Sequence, residues 1–219
     1  MISNTNNFRQ SFFFNQSSSV IGGDYTYINN ASKQLLNNGI ETRLLETHEV
    51  KWRLNFAKWF TFNTTGLMGI KGNNSLLFSS RNYLLHTVEA EQKLSYQPGT
   101  TFRISVLYKY GEKANTYAEG FQRAFIHNAG LELKYNQTEK GSFNMRFDLL
   151  QIRYNDVESS AIAFEMLNGL ANGTNYTWEL LYQRNINTNL QISINYNGRK
   201  SASSSGIVHL GGGTIRAFF

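Results

Sequence analysis

The sequence predicts an all-β fold in which about ten antiparallel strands follow one another up and down. Three observations support it: polar and apolar residues alternate over many segments, connections are alternately short and long, and aromatic residues stand at segment ends. A period of two is that of a strand, because successive side chains point to opposite faces. An apolar face with aromatic ends, opposite a charged face, is typical of a sheet between lipid and a wet lumen. We therefore predict a transmembrane β-barrel, with residues 1–219 as a single domain.

Composition limits the classes of protein open to this chain. Its 219 residues suffice for one large β domain or two small ones. The absence of Cys excludes disulfides, thiol chemistry and thiolate metal sites. No apolar run approaches the roughly 18 residues of a membrane helix. The mean hydropathy of −0.40 still fits a barrel, because lipid-facing residues are interleaved with polar ones.

The net charge of +6 would suit a nucleic-acid partner, but its distribution does not. Basic residues are scattered over many predicted strands and alternate with acids, as in Glu49–Arg53 and Glu89–Lys93. Such runs place opposite charges on one strand face, where they form ladders with neighbouring strands. We expect no nucleic-acid partner.

Five predicted strands occupy the first half of the chain. They are Phe8–Phe14, Val50–Phe56, Phe60–Ile70, Val88–Tyr96 and Phe102–Tyr110, each with apolar residues at alternate positions. The fifth has the most regular alternation in the chain. The polar stretch 15–39 between the first two, which contains paired glycines, is predicted to be a long connection.

Five more predicted strands occupy the second half. They are Ala129–Tyr135, Phe143–Tyr154, Tyr176–Tyr182, Leu190–Tyr196 and Ile215–Phe219. In the second of these, the apolar positions change parity after Leu149, which predicts a β-bulge near Leu149–Leu150.

The connections between these strands alternate in length. Short ones fall near residues 57, 98, 139 and 187, and long ones at 15–39, 71–82, 111–122, 155–174 and 197–206. Transmembrane barrels have short turns at one end, longer external loops at the other and usually an even strand number. Ten strands would place both chain ends at the short-turn end.

The aromatic residues are predicted to form two belts, one at each membrane–water interface. The belt at the short-turn end comprises Phe8, Phe56, Phe60, Tyr96, Phe102, Tyr135, Phe143, Tyr182 and Phe219. The belt at the long-loop end comprises Tyr108, Tyr110, Tyr154, Tyr176, Trp178 and Tyr196. The alternative is a soluble barrel or sandwich in which the aromatic residues fill an inner core.

A lumenal charge ladder is predicted on the opposite face of the strands. Its members are Glu49, Lys51, Arg53, Glu89, Glu91, Lys93, Arg103, Glu132, Lys134, Arg146, Asp148, Glu179 and Arg216. Arg153 is assigned to the same face. A barrel of about ten strands has little interior room, so these side chains would fill and cross-link it rather than leave a wide pore.

Few residues offer catalytic chemistry. Glu89 and Glu91 share a strand face, a spacing that suits acid–base work on glycosides, but Lys93 beside them favours an ion-pair ladder. The four His lack metal-ligand spacing, and no nucleophile or nucleotide motif is present. A surface hydrolase would have to use His209, Asp156 and Glu158 at the loop rim. We expect no enzymatic activity, catalytic residue, cofactor or metal.

The terminal residues Ile215, Ala217 and Phe219 resemble the C-terminal signal of bacterial outer-membrane barrels. In that family, the barrel assembly machinery reads the last strand and its terminal aromatic residue. Most of the chain also resembles the C-terminal barrel region of large, mostly uncharacterised outer-membrane proteins of Bacteroidota. The segments that carry this resemblance are Asn82–Tyr83, Leu94–Pro98, Glu165–Leu170, Asn175–Trp178, Tyr196–Lys200, His209–Gly211 and Arg216–Phe219.

These resemblances imply an outer-membrane location in a Gram-negative bacterium, with membrane lipid and the assembly machinery as partners. They also imply that the chain is the C-terminal part of a longer protein. We expect a membrane anchor, assembly or interaction domain whose external loops, especially Asn15–Gly39 and Asn155–Thr174, carry any recognition, with envelope proteins among its candidate partners. The alternative is a narrow channel or transport component.

Overall fold

The computed structural model describes residues 2–36, 39–117 and 120–217, and nearly all of them belong to one sheet. Eleven strands follow the chain in order. Their bounds are β1 Ile2–Phe14, β2 Ile21–Leu36, β3 Gly39–Ala57, β4 Phe60–Ser75, β5 Tyr83–Tyr96, β6 Phe102–Asn115, β7 Arg123–Gln137, β8 Gly141–Tyr154, β9 Gly173–Asn185, β10 Leu190–Lys200 and β11 Ile207–Ala217. A 3₁₀ turn, Ser79–Arg81, precedes β5, and helix α1, Ala161–Leu167, precedes β9.

Each strand pairs antiparallel with its neighbours in sequence, so the predicted all-β, up-and-down fold is confirmed. The strand that the sequence pattern missed is β2, which lies inside the predicted long connection 15–39. Its register on β3 runs from Ile21–Leu54 to Leu36–Gly39 without interruption. Asn29 and Asn30 in its centre, and Gly22 and Gly23 at its start, hid the alternation that its neighbours show.

The eleventh strand changes where the chain ends lie. The short connections 58–59, 97–101, 138–140 and 186–189 share one end of the sheet, here the turn end. The longer connections 76–82, 155–172 and 201–206 share the other, here the loop end. With an odd strand number, β1 starts at the loop end and β11 finishes at the turn end, which corrects the expectation of both at the turn end. β1 and β11 therefore run in the same direction, and no backbone ladder joins them within the described residues.

The two faces of the sheet differ in chemistry. The convex face presents exposed apolar side chains, including Met68, which is 63% exposed, and Val106, which is 59% exposed. The concave face carries buried polar side chains such as Ser105 and Asp148. Strong curvature lets a side chain on β5 reach β7 across the intervening strand, as the Lys93–Glu132 ion pair does at 2.5 Å. Alternation thus sorts apolar residues outward and ionic residues inward.

The predicted bulge in β8 is absent, because β8 pairs with β7 without a break from Gly141 to Tyr154. The apolar positions change parity because the concave face changes character near the loop end. There, Ile152 and Tyr154 point into a buried apolar cluster instead of a polar lumen. Arg153 consequently lies on the convex face, which corrects its assignment to the lumen.

The apolar core lies at the loop end, where α1 folds onto the concave face. Three α1 residues pack against four residues of the strands β5, β7 and β8. The members are Leu85, Ala124, Ile152, Tyr154, Ala163, Met166 and Leu167. In the part of the chain that the structure describes, no helix is long and apolar enough to cross a membrane.

Candidate functional site

Helix α1 forms a plug over the concave face, and local sequence explains why it forms. Ser160 caps its N-terminus, with Oγ accepting a hydrogen bond from the Ala163 backbone N–H at 2.9 Å. Asn168 ends it in the left-handed conformation, at φ 55°, and Gly169 follows at φ 73°. The helix is amphipathic: Met166 is fully buried, whereas Phe164 is 69% exposed.

Two lysines of the barrel wall hold the plug. Lys113 of β6 donates from Nζ to Asn168 Oδ1 at 3.0 Å and to the Glu165 carbonyl oxygen at 3.5 Å. A cation at this position stabilises the unpaired carbonyls at a helix C-terminus. Lys71 of β4 forms an ion pair with the Glu165 carboxylate at 2.5 Å. The plug is therefore anchored by polar contacts as well as by the apolar cluster.

The N-cap of the plug can be tested by the substitution Ser160→Ala. The substitution removes the acceptor of the Ala163 N–H, and we expect it to destabilise α1 by about 1 kcal/mol. Hydrogen exchange of the α1 amides in the folded protein measures this locally, and we expect exchange to rise about fivefold. Ser203→Ala, in the loop 201–206, is the control. An equal rise in both variants would contradict the capping role.

Two buried asparagines fix the connections at the loop end. Asn175 donates from Nδ2 to the Ala171 carbonyl at 2.7 Å, and its Oδ1 accepts from the Ala202 backbone N–H at 3.2 Å. It thereby joins the loop that contains α1 to the β10–β11 loop. Asn82 closes the β4–β5 connection, because its side chain both accepts from and donates to the backbone of Ser75. These bonds satisfy buried backbone groups that would otherwise destabilise the fold.

A cavity of about 580 Å³ with several charged lining residues lies between the plug and the wall formed by β1 to β4. Its charged lining residues are Glu41, Arg43, Lys71, Arg81 and Glu165. Two ion pairs run along the lining, Arg43–Glu41 at 2.7 Å and Lys71–Glu165 at 2.5 Å. The cavity therefore offers charged groups of both signs and suits a polar ligand that enters from the loop end.

The predicted charge-ladder residues lie on the concave face, and several form a network. Arg146 binds Asp148 at 2.6 Å and Glu132 at 3.1 Å, and Glu132 also binds Lys93 at 2.5 Å. Pairs also form between Lys51 and Glu49 at 2.5 Å and between Lys109, likewise assigned to the inward face, and Glu89 at 2.7 Å.

Other members of the predicted ladder bind neutral groups or stand apart. Arg53 donates to the Ser18 carbonyl at 2.7 Å, and Arg103 donates to the Gln97 side chain. Six members make no ion pair within 4.0 Å in the described part of the chain, namely these two arginines and Glu91, Lys134, Glu179 and Arg216. Their role in a lumenal ladder stays a prediction.

The predicted assembly signal is only partly within the described residues. Ile215 and Ala217 lie on the convex face of β11, paired with Ile192 and Leu190. Phe219 lies outside the described residues. Recognition of this strand by an assembly machinery stays a prediction.

The candidate catalytic residues do not converge on one site. The Glu89 carboxylate pairs with Lys109, and His209 binds the Tyr196 hydroxyl on the convex face. Asp156 lies in the β8–β9 loop, where the Gln122 amide at 3.0 Å and the Val157 backbone N–H hold the pKa of its carboxyl below the usual value. Across the described ranges, no group of three or more His, Cys, Asp or Glu could hold a metal ion.

Sequence reasoning missed a contact that three of the four histidines make. His48, His127 and His209 each hydrogen-bond a tyrosine of the preceding strand through Nδ1, and each distance is 2.7 Å. The signal was a tyrosine at the loop-end limit of one apolar strand face and a histidine at the same limit of the next. Without the register between strands, the two residue types cannot be paired.

No protein-family model matches the chain, and no curated protein matches it. A solved structure that matches is LpxR from Salmonella typhimurium, with 8% sequence identity and a TM-score of 0.40, over 97% of this chain and 88% of that chain. LpxR is an outer-membrane enzyme, a lipid A deacylase. The prediction that the chain is not an enzyme is thus contradicted by a match to an enzyme, although a TM-score of 0.40 assigns no activity to this chain. No residue role follows from a likeness at this identity.

Proposed function

We propose that this chain is an outer-membrane β-barrel of a Gram-negative bacterium that presents a plugged, loop-bearing surface for recognition at its loop end. The observation that carries the proposal is the contrast between the faces. Large apolar side chains such as Val50 and Met68 are exposed on the convex face, whereas ionic groups are paired on the concave face. A fold in water would bury the first set, so lipid is the solvent that fits.

The aromatic residues at the turn end support the same proposal. Phe60 lies between Phe56 and Tyr96, with ring centroids 5.7 and 4.9 Å apart, and Trp59 also contacts Tyr96. Such clusters at strand ends suit a membrane–water interface, where one edge of the ring is apolar and the other wet.

Single labelled cysteines test the membrane placement, since the chain has no native Cys. We expect a bimane label at Val106→Cys, on the convex face, to be strongly quenched by brominated acyl chains in vesicles. The matched label at Thr65→Cys, which faces the concave side, should be quenched little. Equal quenching at both sites, or a protein that stays folded and monodisperse in buffer without detergent, would contradict the proposal.

The second candidate is a narrow channel, which two cavities on the concave face favour. The first is the loop-end cavity of about 580 Å³, and the second, of about 490 Å³, lies nearer the turn end and is lined by Lys51, Arg53 and Arg103. The plug and the Arg146 network obstruct the interior, so the two cavities do not form one continuous pore. Planar bilayer recordings separate the candidates: a channel gives unitary currents at neutral pH, whereas a plugged recognition barrel gives none.

An assembly machinery as partner is proposed on the basis of the edge strand β11. This strand presents Ile215 and Ala217 on its convex face and pairs only with β10 in the described residues. Deletion of Phe219 tests the proposal. We expect the amount of membrane-inserted, heat-modifiable protein in cells to fall several-fold while refolding of the purified protein in detergent is unchanged.

A further inference from the structure

Three tyrosine–histidine pairs on the convex face share one geometry. They are Tyr25–His48, Tyr108–His127 and Tyr196–His209, and the Oη–Nδ1 distance is 2.7 Å in each. In every case, the histidine lies on the next strand, diagonally one step nearer the loop end. The pairs join β2 to β3, β6 to β7, and β10 to β11, so the arrangement recurs every four strands.

The pairs mark the loop-end boundary of the apolar band. Tyr108 and Tyr110 follow Phe102, of the turn-end belt, by six and eight residues along β6. At about 3.4 Å per residue and a strand tilt near 40°, this separation spans roughly 15–20 Å, somewhat less than the usual apolar band. Aromatic rings flank each histidine here, with Tyr110 5.2 Å from His127 and Trp178 6.5 Å from His209. In a bilayer this is the level of the lipid headgroups.

The hydrogen bond to tyrosine occupies Nδ1 of each histidine, and we assign the tyrosine hydroxyl as its donor. A tyrosine hydroxyl that donates to Nδ1 leaves the proton of the neutral imidazole on Nε2. For His48, that N–H has an acceptor within its own strand, since Glu46 Oε1 lies 3.6 Å from Nε2. The residues at the equivalent positions before His127 and His209 are Phe125 and Ile207, which accept nothing. The last two histidines therefore each retain an unused donor.

A cation stands beside each of these two unused donors. Arg153 of β8 pairs with Phe125, and Lys200 of β10 pairs with Ile207, so each lies diagonally across from its histidine on the same convex face. Diagonal neighbours are about 7–8 Å apart, a gap that one bound anion can bridge. Neither cation makes a salt bridge or hydrogen bond with any described residue, although Glu112 also lies on this face.

We propose that His127 with Arg153, and His209 with Lys200, each bind the phosphate of a membrane-lipid headgroup. The proposal rests on the proposed membrane function. A phosphate accepts hydrogen bonds from Nε2–H and from the guanidinium or ammonium group at once, and charge assistance strengthens both bonds. The Tyr25–His48 pair has its own carboxylate and does not bind phosphate. The barrel thus has two phosphate-lipid sites at the loop-end interface and one internal control.

Native mass spectrometry of the folded barrel, released from phosphatidylcholine nanodiscs that contain dioleoyl phosphatidic acid, tests the proposal. We expect two retained phosphatidic acid molecules per barrel. The variants His127→Phe and His209→Phe should each lower the affinity of one site about tenfold, and Arg153→Met and Lys200→Met should do the same. His48→Phe, the matched control, should leave both sites unchanged.

Each other outcome contradicts the inference. Equal loss in His48→Phe would show a general aromatic effect, and no loss in any variant would show non-specific lipid adhesion. Displacement of phosphatidic acid by millimolar inorganic phosphate would assign the sites to a free anion. The bimane label at Val106→Cys separates the two proposals: quenching without specific lipid retention contradicts this inference alone, and absence of quenching contradicts the membrane placement.

Discussion

Replacing Met166 by glutamate should release α1 from the barrel wall. The Met166 side chain is fully buried in the cluster with Leu85 and Ile152. The cation beside this cluster, Lys113, already donates to Asn168 and to the Glu165 carbonyl. A carboxylate there would lose its hydration without gaining a partner, which costs several kcal/mol. That exceeds what the contacts of a seven-residue helix can offset, so the helix should undock while the strands stay paired.

Hydrogen exchange and limited proteolysis of segment 155–172 measure the release. We expect the α1 amides to exchange at least a hundredfold faster, and proteases to cleave this segment while the heat-modifiable barrel persists. Phe164→Glu is the matched control, because Phe164 lies on the same helix but is 69% exposed. If segment 155–172 is equally protected from exchange and proteolysis in both variants, or if both variants unfold the barrel, α1 is not a separable plug.

If the wild type is silent in planar bilayers, the same variant shows what closes the interior. If the plug alone closes the loop end, its release in Met166→Glu should produce currents in planar bilayers that the wild type lacks. If the Arg146 network also blocks the interior, Met166→Glu should stay silent. In that case, the cavity against β1 to β4 is a binding site rather than the vestibule of a pore.

The alternation of apolar and polar residues predicts most of the strands, because lipid and lumen impose opposite requirements on alternate side chains. The alternation gives a wrong prediction where those requirements change along a strand or are absent. In β2 the centre is polar on both faces, at Asn29 and Asn30, so no period remains to be found. In β8, Ile152 and Tyr154 face the plug, and the change in the interior from polar to apolar imitated a bulge.

The sequence of the plug contains a local helix signal, which the prediction of a long connection over 155–174 did not use. Ser160 followed by Ala161–Leu167 and then Asn168-Gly169 is an N-cap, an amphipathic turn and a left-handed C-cap. What sequence could not supply was the surface that receives the helix. That surface combines Leu85 and Ile152, residues of different strands that only the register brings together. The Tyr–His pairs were hidden for the same reason.

Replacing Arg146 by methionine should destabilise the barrel by about 3 kcal/mol, because it leaves two poorly hydrated carboxylates without their shared cation. The side chains of Glu132 and Asp148 are only 12% and 10% exposed, and Arg146 contacts both. On the β7 side the Asp148 carboxylate is closely packed, since a Cβ placed on Gly130 would stand 2.7 Å from its Oδ1. The Arg146 side chain itself is 43% exposed, so water offsets part of the loss. Denaturant unfolding in detergent micelles, followed by Trp fluorescence, measures the loss.

Two further variants distinguish ionic pairing from simple packing. Arg103→Met removes an exposed cation of the same concave face whose partner is the neutral Gln97, so we expect a loss below about 1 kcal/mol. Adding Asp148→Asn to Arg146→Met removes the stranded charge, and an amide can still accept the Asn128 Nδ2 bond that Asp148 accepts at 3.0 Å. The double variant should recover roughly half of the loss. If it is less stable than Arg146→Met, the network stabilises the interior by filling volume, and charge compensation is not what holds β7 to β8 there.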